Sequence, residues 1–381
     1  MNELKKAYIS IGSNLGNRLQ NLQNALFRLD AQVGKITAIS KVYESEAWGF
    51  EANDFLNACV TLETYLTPEE VLLKILSIEK MLGRERFLEK GYESRIIDID
   101  IIYYGNEVVQ TDRLTVPHPK LQDRKFVLMP LAEIAPQFYH PILKKDTRNL
   151  LQECRDKGLV RKTQHKLYTS KKELFSNLSF MAIEGNIGAG KTTLAQKIAE
   201  DFNGKLVLER FADNPFLPKF YEDQGRYAFP LEMSFLADRY QQFTDDTSQF
   251  DLFKNFMVSD YDIYKSLIFA QVTLQKDEFN LYRKLFKLMY REVQKPRLYV
   301  YLYQSTDRLL KNIKKRGRAY EQSIEAAYLD KINKGYFEFF KSYPEQNTLV
   351  IDVGDLDFVE NPTDYNTIID KIQDFALELT F

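Results

Sequence analysis

Gly185-Asn186-Ile187-Gly188-Ala189-Gly190-Lys191-Thr192 stands at mid-chain. An apolar run, Phe180-Met181-Ala182-Ile183, precedes it, and a helical pattern over 193–202 follows. Strand, glycine-rich turn and helix form the context in which this spacing wraps phosphate, because the glycines bring backbone N–H groups round the anion at a helix N-terminus. In that arrangement Gly185, Gly188 and Gly190 shape the turn, Lys191 reaches the β- and γ-phosphates, and Thr192 ligates Mg²⁺. Downstream, 206–208, 298–302 and 348–351 are apolar runs. The last two are continuous, as expected of strands buried on both faces. From about residue 178 the chain is therefore expected to be an α/β P-loop fold with a parallel sheet.

Well upstream, Arg95-Ile96-Ile97-Asp98-Ile99-Asp100-Ile101-Ile102 has a different pattern. Asp98 and Asp100 share one face of a strand, and Ile97, Ile99 and Ile101 take the other. Two carboxylates on one face repel unless a cation lies between them. One or two carboxylates plus substrate phosphates suit Mg²⁺. A bare Asp-x-Asp also fits a solvent-facing polar edge. The flanking cations favour the metal reading: Gly83-Arg84-Glu85-Arg86 precedes, Arg95 adjoins, and Val116-Pro117-His118-Pro119 follows. Such a set can grip a triphosphate through bidentate arginines. Around it, 7–11, 36–43 and 55–63 read as strands, and Leu19, Leu22, Ala25, Leu26 and Leu29 mark an amphipathic helix. Thr67-Pro68-Glu69-Glu70 opens a second helix, with Thr as N-cap and Pro at the first position, that stops at Gly83. Strands in two groups with two intervening helices argue for an α+β half.

The chain has 381 residues, 44% hydrophobic and 28% charged, which suits two domains. The net charge of -2 gives no global field that points to nucleic acid or a membrane surface. Cys59 and Cys154 are far apart and read as reduced thiols rather than a disulfide. The first residues lack the apolar core of a signal peptide, and no apolar run approaches the roughly 20 residues of a membrane span. The expectation is a soluble, cytoplasmic protein acting on small molecules. The Lys- and Arg-rich stretch 157–172 has little apolar periodicity and reads as linker. The expected domains are 1–160 and 178–381, joined by 161–177.

Two family resemblances follow from these residues. Tyr8-Ile9-Ser10-Ile11-Gly12-Ser13-Asn14-Leu15-Gly16, Asp54-Phe55-Leu56-Asn57-Ala58, the Arg95–Ile101 strand and Leu114-Thr115-Val116-Pro117-His118 look like 6-hydroxymethyl-7,8-dihydropterin pyrophosphokinase of folate biosynthesis, over about residues 5–160. The resemblance implies a ferredoxin-like α+β sandwich that moves pyrophosphate from ATP to a pterin alcohol. It implies that Asp98 and Asp100 hold two Mg²⁺, that Asn57 hydrogen-bonds the pterin, and that Phe55 and Phe126 sandwich its ring. Glu79, Arg84, Arg86, Arg95, Arg113, His118 and Arg124 would surround the nucleotide, with Arg84 and Arg95 as catalytic cations. Tyr92 stands where some members have Trp.

The second half resembles the deoxynucleoside kinase family, most closely the bacterial purine enzymes, over about residues 178–381. The segments are the phosphate loop, Glu209, Asn214-Pro215-Phe216-Leu217-Pro218-Lys219-Phe220-Tyr221, Phe229-Pro230-Leu231-Glu232-Met233, Asp238-Arg239-Tyr240 and Lys314-Lys315-Arg316-Gly317-Arg318. An acid at the carboxyl end of a parallel strand faces the ligand crevice, so Glu209 can serve as base toward an alcohol; a surface Glu at a strand end looks the same. The resemblance implies Glu209 as base for the 5′-hydroxyl, Tyr221 and Glu321 at the 3′-hydroxyl, Arg239 near the base, and Arg316 and Arg318 on the phosphates. It also implies ATP with one Mg²⁺ and a homodimer through this half. Some members carry an Arg where this chain has Tyr261 after Asp260, which removes one phosphate-side cation.

Others carry Gln where this chain has Glu232. An ionised Glu only accepts hydrogen bonds. Guanine presents two donors side by side, whereas adenine presents a donor next to an acceptor. A buried mismatch costs about 1–3 kcal/mol, so deoxyguanosine is expected over deoxyadenosine, unless Glu232 pairs with Arg239 and never meets the base. The whole reads as a bifunctional enzyme with MgATP at both sites. The alternatives are that one half is a non-catalytic nucleotide-sensing module, or that the second is a nucleoside monophosphate kinase.

Overall fold

The computed structural model describes residues 3–48, 52–84, 94–210, 214–248, 254–291, 293–318 and 321–379. The chain divides after Glu173 into two units. The first runs β1 (Lys5–Ser13), α1 (Arg18–Gln32), β2 (Lys35–Ile39), β3 (Tyr43–Ser45), β4 (Phe55–Thr64), α2 (Pro68–Met81), β5 (Asp98–Tyr104), β6 (Val109–Gln110), β7 (Thr115–Val116), α3 (Lys125–Ile134), α4 (Thr147–Glu153) and β8 (Val160–Lys162). Its main sheet has the order β5-β1-β4-β3-β8, with β2 also on β4, and every pairing is antiparallel. Helix α1 carries the chain from β1 across to β2, and α2 carries it from β4 to the far side of β1. This is the split β-α-β-β-α-β path of a ferredoxin-like unit.

The apolar stripes of α1 (Leu19, Leu22, Ala25, Leu26, Leu29) and α2 (Val71, Ile75, Ile78) close on Ile9, Ile11, Ile97, Ile99 and Ile101. Helix α2 starts as its sequence dictates: Thr67 accepts the Glu70 N–H while the Glu70 side chain accepts the Thr67 N–H. On the opposite face, Tyr8, Cys59, Ile102 and Tyr103 meet Val127, Leu128, Leu131 and Leu150 of α3 and α4. The sandwich thus carries helices on both faces. The one strand expected over 36–43 is broken into β2 and β3, both on β4. Ser40 bridges the break: its N–H donates to Cys59 O (2.9 Å), and its Oγ accepts the Cys59 N–H (3.0 Å).

The stretch expected as a linker, 161–177, is corrected. Strand β8 pairs with β3 on the first sheet. Tyr168 is buried, its N–H donates to Gln23 Oε1 (2.7 Å), and its carbonyl accepts from Gln23 Nε2 (2.8 Å). One side-chain amide thereby satisfies both backbone groups of a residue that has no strand partner. Helix α5 (Lys171–Asn177) spans the division at Glu173; beyond it, inside the second unit, the Phe175 and Phe202 ring centroids lie 4.3 Å apart.

The second unit continues through β9 (Phe180–Gly185), α6 (Lys191–Phe202), β10 (Gly204–Val207), α7 (Leu217–Glu222), α8 (Gln224–Ser248), β11 (Phe256–Ser259), α9 (Tyr264–Thr273), α10 (Lys276–Tyr290), β12 (Leu298–Tyr303), α11 (Thr306–Arg316), α12 (Ala326–Ser342), β13 (Thr348–Asp352) and α13 (Pro362–Glu378). The sheet order is β10-β11-β9-β12-β13, all parallel. The winding reverses at β9, which opens a crevice beyond its carboxyl end. Strand β12 is buried as expected. Strand β13 is not: it is the sheet edge, and Val350 is 44% exposed. Its apolar run therefore marks an edge strand covered on one side only. Among the described residues no helix is long and apolar enough to cross a membrane.

Residues 161–173 belong to the first unit, and Gln23→Leu orphans two buried backbone groups of Tyr168. Each orphaned group costs about 1–3 kcal/mol. The chain has 1 Trp, Trp48 of the first unit, so tryptophan fluorescence in urea follows that unit alone. The expected outcome is loss of at least about 2 kcal/mol of its unfolding free energy; a change within about 0.5 kcal/mol, the range of a surface substitution, would return the stretch to linker status.

Two candidate active sites

In the first unit, strand register assembles the site. Asp98 lies opposite Gly12 on β1, and Gly12 lies opposite Asn57 on β4. The next row on that face pairs Asp100 with Ser10. Phe55 precedes Asn57 by two on the same strand, and Phe126 comes from the first turn of α3. A cleft of about 550 Å³ opens over them and is also lined by Trp48, Arg95 and Arg124. The paired acids, Asn57 and both phenylalanines expected from sequence therefore share one cleft. Asn57 is held by donating from Nδ2 to Ser45 Oγ (2.9 Å). A Cβ at position 12 would meet its Oδ1 at 3.0 Å, so the strands approach closely here because residue 12 has no side chain.

The two acids differ in their partners. Asp98 Oδ1 accepts from Arg84 (2.7 Å) and Oδ2 from Arg95 (2.6 Å). Arg84 is gripped in turn by Glu79, whose Oε1 also accepts the Ile99 N–H (3.0 Å). Among the described residues Asp100 has only Arg124 at 3.5 Å and His118 Nε2 at 3.9 Å. Burial, and then repulsion from Asp98, push its carboxyl up to about 7. A cation between the acids would remove that repulsion. Two carboxylates leave the remaining ligands to phosphate and water, which fits Mg²⁺.

The other expected residues are placed as follows. His118 is drawn down to about 4, by burial first and Arg124 next. Its Nδ1 accepts the Lys120 N–H (3.3 Å), so the neutral ring carries its proton on Nε2, toward Asp100. Glu79 is buried behind the cleft and acts on it through Arg84. Arg113 is exposed and does not line the cleft. Arg86 and Tyr92 lie outside the described residues. Sequence reading gives Trp48 no part in the site, yet its ring lies 5.4 Å from the Arg124 guanidinium and 5.6 Å from Lys120 Nζ. The signal was a large aromatic in a loop rather than in an apolar stripe.

In the second unit, β9 turns through Gly188 (φ +83°) and Gly190 (φ +90°) into α6. A Cβ on Gly190 would meet Phe358 at 2.7 Å, so both space and conformation demand glycine. Lys191 Nζ donates to Asn186 O within the loop (2.8 Å). Burial, and then Lys265, draw its ammonium down to about 8. Thr192 Oγ1 donates to Asp260 Oδ2 (2.5 Å), and Asp260 Oδ1 accepts the Glu209 N–H (2.8 Å). A hydroxyl and a carboxylate in contact beside a phosphate loop are the donor pair that a P-loop offers to Mg²⁺.

Lys191, Thr192, Glu209, Tyr221, Glu232, Arg239, Arg316, Arg318 and Glu321 line one crevice of about 820 Å³. Glu209 is no surface residue. Its Oε1 accepts from Arg239 Nε (2.9 Å) and Nη2 (2.5 Å), and its Oε2 from Lys265 Nζ (2.5 Å). Burial alone would raise its carboxyl, but Lys265 and then Arg239 hold it far below the usual carboxylate range. Arg239, expected beside the nucleobase, is committed to Glu209 and to Ser266 Oγ (2.6 Å). Its ion pair is therefore not with Glu232. Glu232 Oε1 accepts from Thr273 Oγ1 (3.0 Å), while Oε2 is buried with no hydrogen-bond partner among the described residues. Burial pushes this carboxyl up to about 7 against the pull of Arg239. Glu321 accepts from Arg316 Nε (3.1 Å) and Arg318 Nη1 (3.3 Å), so the expected sugar acid and phosphate clamps form one cluster. Lys265 has no role in the sequence reading; its signal was a single charge in the apolar helix Tyr264–Thr273.

Comparison with known proteins bears on both halves. The family model for deoxynucleoside kinase matches residues 181–377. That for 7,8-dihydro-6-hydroxymethylpterin-pyrophosphokinase matches residues 8–136. Deoxyguanosine kinase of Bacillus subtilis (strain 168) is 38% identical over 202 residues, covering 52% of this chain and 98% of that relative. A 2-amino-4-hydroxy-6-hydroxymethyldihydropteridine pyrophosphokinase of Aquifex aeolicus (strain VF5) is 44% identical over 147 residues, 38% of this chain and 90% of that protein. Among solved structures, deoxyadenosine kinase from M. mycoides with bound dCTP superposes with a TM-score of 0.44 at 25% identity, over 51% of this chain and 99% of that one.

Replacing Asp98 or Asp100 by Ala separates the two sites. Transfer to a pterin alcohol is expected to fall by at least about 10²-fold, the scale of one lost electrostatic stabiliser. Deoxynucleoside phosphorylation on the same preparation is expected to stay within about twofold. Equal loss of both activities would contradict two separate sites.

Proposed function

The chain belongs to two families at once, the dihydropterin pyrophosphokinases through its first half and the deoxynucleoside kinases through its second, and from that premise we propose how each half of this bifunctional kinase works. The observation that carries the proposal is that each unit gathers its own charged cleft from its own residues. In the first, the pterin lies between Phe55 and Phe126 with its polar edge on Asn57. Asp98 and Asp100 would hold the Mg²⁺ that comes with ATP, and that ion would supply charge neutralisation for the transferred pyrophosphoryl group. Arg95 and Arg124 flank the phosphates, and Glu79 fixes Arg84 against Asp98.

In the second, Glu209 accepts the 5′-hydroxyl proton as that oxygen attacks the γ-phosphorus of ATP. Lys191, Arg316 and Arg318 hold the phosphates, Thr192 and Asp260 hold Mg²⁺, and Tyr221 and Glu321 receive the 3′-hydroxyl. Deoxyguanosine is the proposed substrate, with deoxyadenosine next. Two observations support it: the 38%-identical relative is named deoxyguanosine kinase, and Glu232 Oε2 is a buried acceptor in need of donors. Exposed Leu281 and Leu288 on α10 offer a face for a second copy, which supports a homodimer through this half. A screen of ATP consumption against hydroxymethyldihydropterin and the deoxynucleosides tests the pair of activities directly.

Glu232 sets a pH dependence on purine choice. Below about 7 the carboxyl is neutral and offers a donor beside an acceptor, as adenine requires. Above it, the carboxylate accepts both guanine donors. The ratio of kcat/KM for deoxyguanosine over deoxyadenosine is therefore expected to rise as pH increases through neutrality. Glu232→Gln is expected to flatten that profile and to move preference toward deoxyadenosine by roughly 5–150-fold, the equivalent of about 1–3 kcal/mol. The same ratio in both proteins at every pH would remove Glu232 from base recognition.

A further inference from the structure

The second unit holds a buried cation that the reading above leaves without a task. Lys265 is 7% exposed, lines the crevice beside Lys191 and Thr192, and places Nζ 2.5 Å from Glu209 Oε2. Its position is fixed by the chain on both sides. Three residues earlier, the Asp262 N–H donates to Glu184 Oε1 (2.6 Å), and Glu184 immediately precedes Gly185 of the phosphate loop. Two residues before that, Asp260 binds both Thr192 Oγ1 and the Glu209 N–H. The short segment from Asp260 to Lys265 thus ties the phosphate loop to the base.

Arg239 spans Glu209 Oε1 with two N–H groups, and Lys265 takes Oε2, so each carboxylate oxygen has its own cation. Lys191, Arg239, Lys265, Arg316 and Arg318 line the crevice together with Glu209, Glu232, Asp260 and Glu321, so an incoming triphosphate would meet several cations, of which Lys265 also holds the base. An ammonium has three donors, and the bond to Glu209 uses one.

We infer that Lys265 is a further catalytic residue of the deoxynucleoside kinase site, bridging Glu209 and the phosphoryl group in transfer. This rests on the kinase reading of the second unit. In the step, the bond from the 5′-oxygen to the γ-phosphorus forms and the bond from that phosphorus to the β,γ-bridging oxygen breaks. ADP leaves with the electron pair, the hydroxyl proton passes to Glu209, and Lys265 stays protonated throughout. Its charge opposes the negative charge gathering on the phosphoryl oxygens, and its hydrogen bond aims the carboxylate at the proton.

The test is steady-state kinetics of K265M and K265R in the full chain with ATP and deoxyguanosine, with pterin pyrophosphorylation read on each preparation. In K265M, kcat is expected to fall about 10²–10³-fold while both KM values stay within about threefold. K265R keeps the charge and is expected to recover at least about tenfold over K265M. If K265M does not fold, K265Q, which keeps a hydrogen bond but no charge, is expected to show the same loss in kcat with KM values likewise within about threefold. A kcat within about twofold of wild type, a loss carried mainly by KM, or no recovery in K265R overturns the inference. Failure of the wild-type chain to phosphorylate any deoxynucleoside overturns the kinase reading itself, a distinguishable result.

Discussion

A carboxylate taken out of water stays an anion only where cations meet it, and both clefts are arranged around that constraint. Glu209 is matched wholly from within the protein, by Arg239 on one oxygen and Lys265 on the other. The acids of the first unit are matched unequally: Asp98 takes two arginines at salt-bridge distance, whereas Asp100 keeps weak partners and a raised carboxyl. The same requirement therefore yields two devices. One is a buried carboxylate already held ionised. The other is a pair of acids whose mutual repulsion a cation between them would relieve.

The two sheets supply these charges in different ways. In the antiparallel sheet, side chains in register share a face, so Asp98, Gly12 and Asn57 fall in one row across three strands. Residues far apart in sequence thereby become neighbours in one cleft. In the parallel sheet, all carboxyl ends point one way, so the ends of β9, β10 and β11 bring the phosphate loop, Glu209 and Asp260 to one edge. Asp260 then joins Thr192 to the Glu209 backbone, which makes the geometry of base and phosphate loop a single rigid relation.

What the sequence disclosed depended on how local the determinant was. The phosphate loop, the Asp98/Asp100 pair and the Thr67 cap are set by spacings of a few residues, and each stands in the structure where its spacing requires. Partners across long separations were not legible. Nothing near Arg239 in sequence announces its ion pair with Glu209, and nothing near Lys265 announces a partner that comes from another element. The segment 161–177 looked like linker because its anchor, Gln23, is a polar side chain on a distant helix rather than an apolar periodicity of its own. Strand β13 misled in the opposite sense, since an apolar run does not record whether a strand is central or at an edge.

The central claim is that one chain carries two nucleotide sites, each completed by its own unit. Equilibrium dialysis of the full chain with a non-hydrolysable ATP analogue and Mg²⁺ measures it directly, as moles bound per chain at saturation, in the wild type and in Lys191→Ala. The account predicts about two per chain in the wild type and about one in the variant, which loses the phosphate-loop ammonium but keeps the acid pair. One per chain in the wild type, or none in Lys191→Ala, would contradict it.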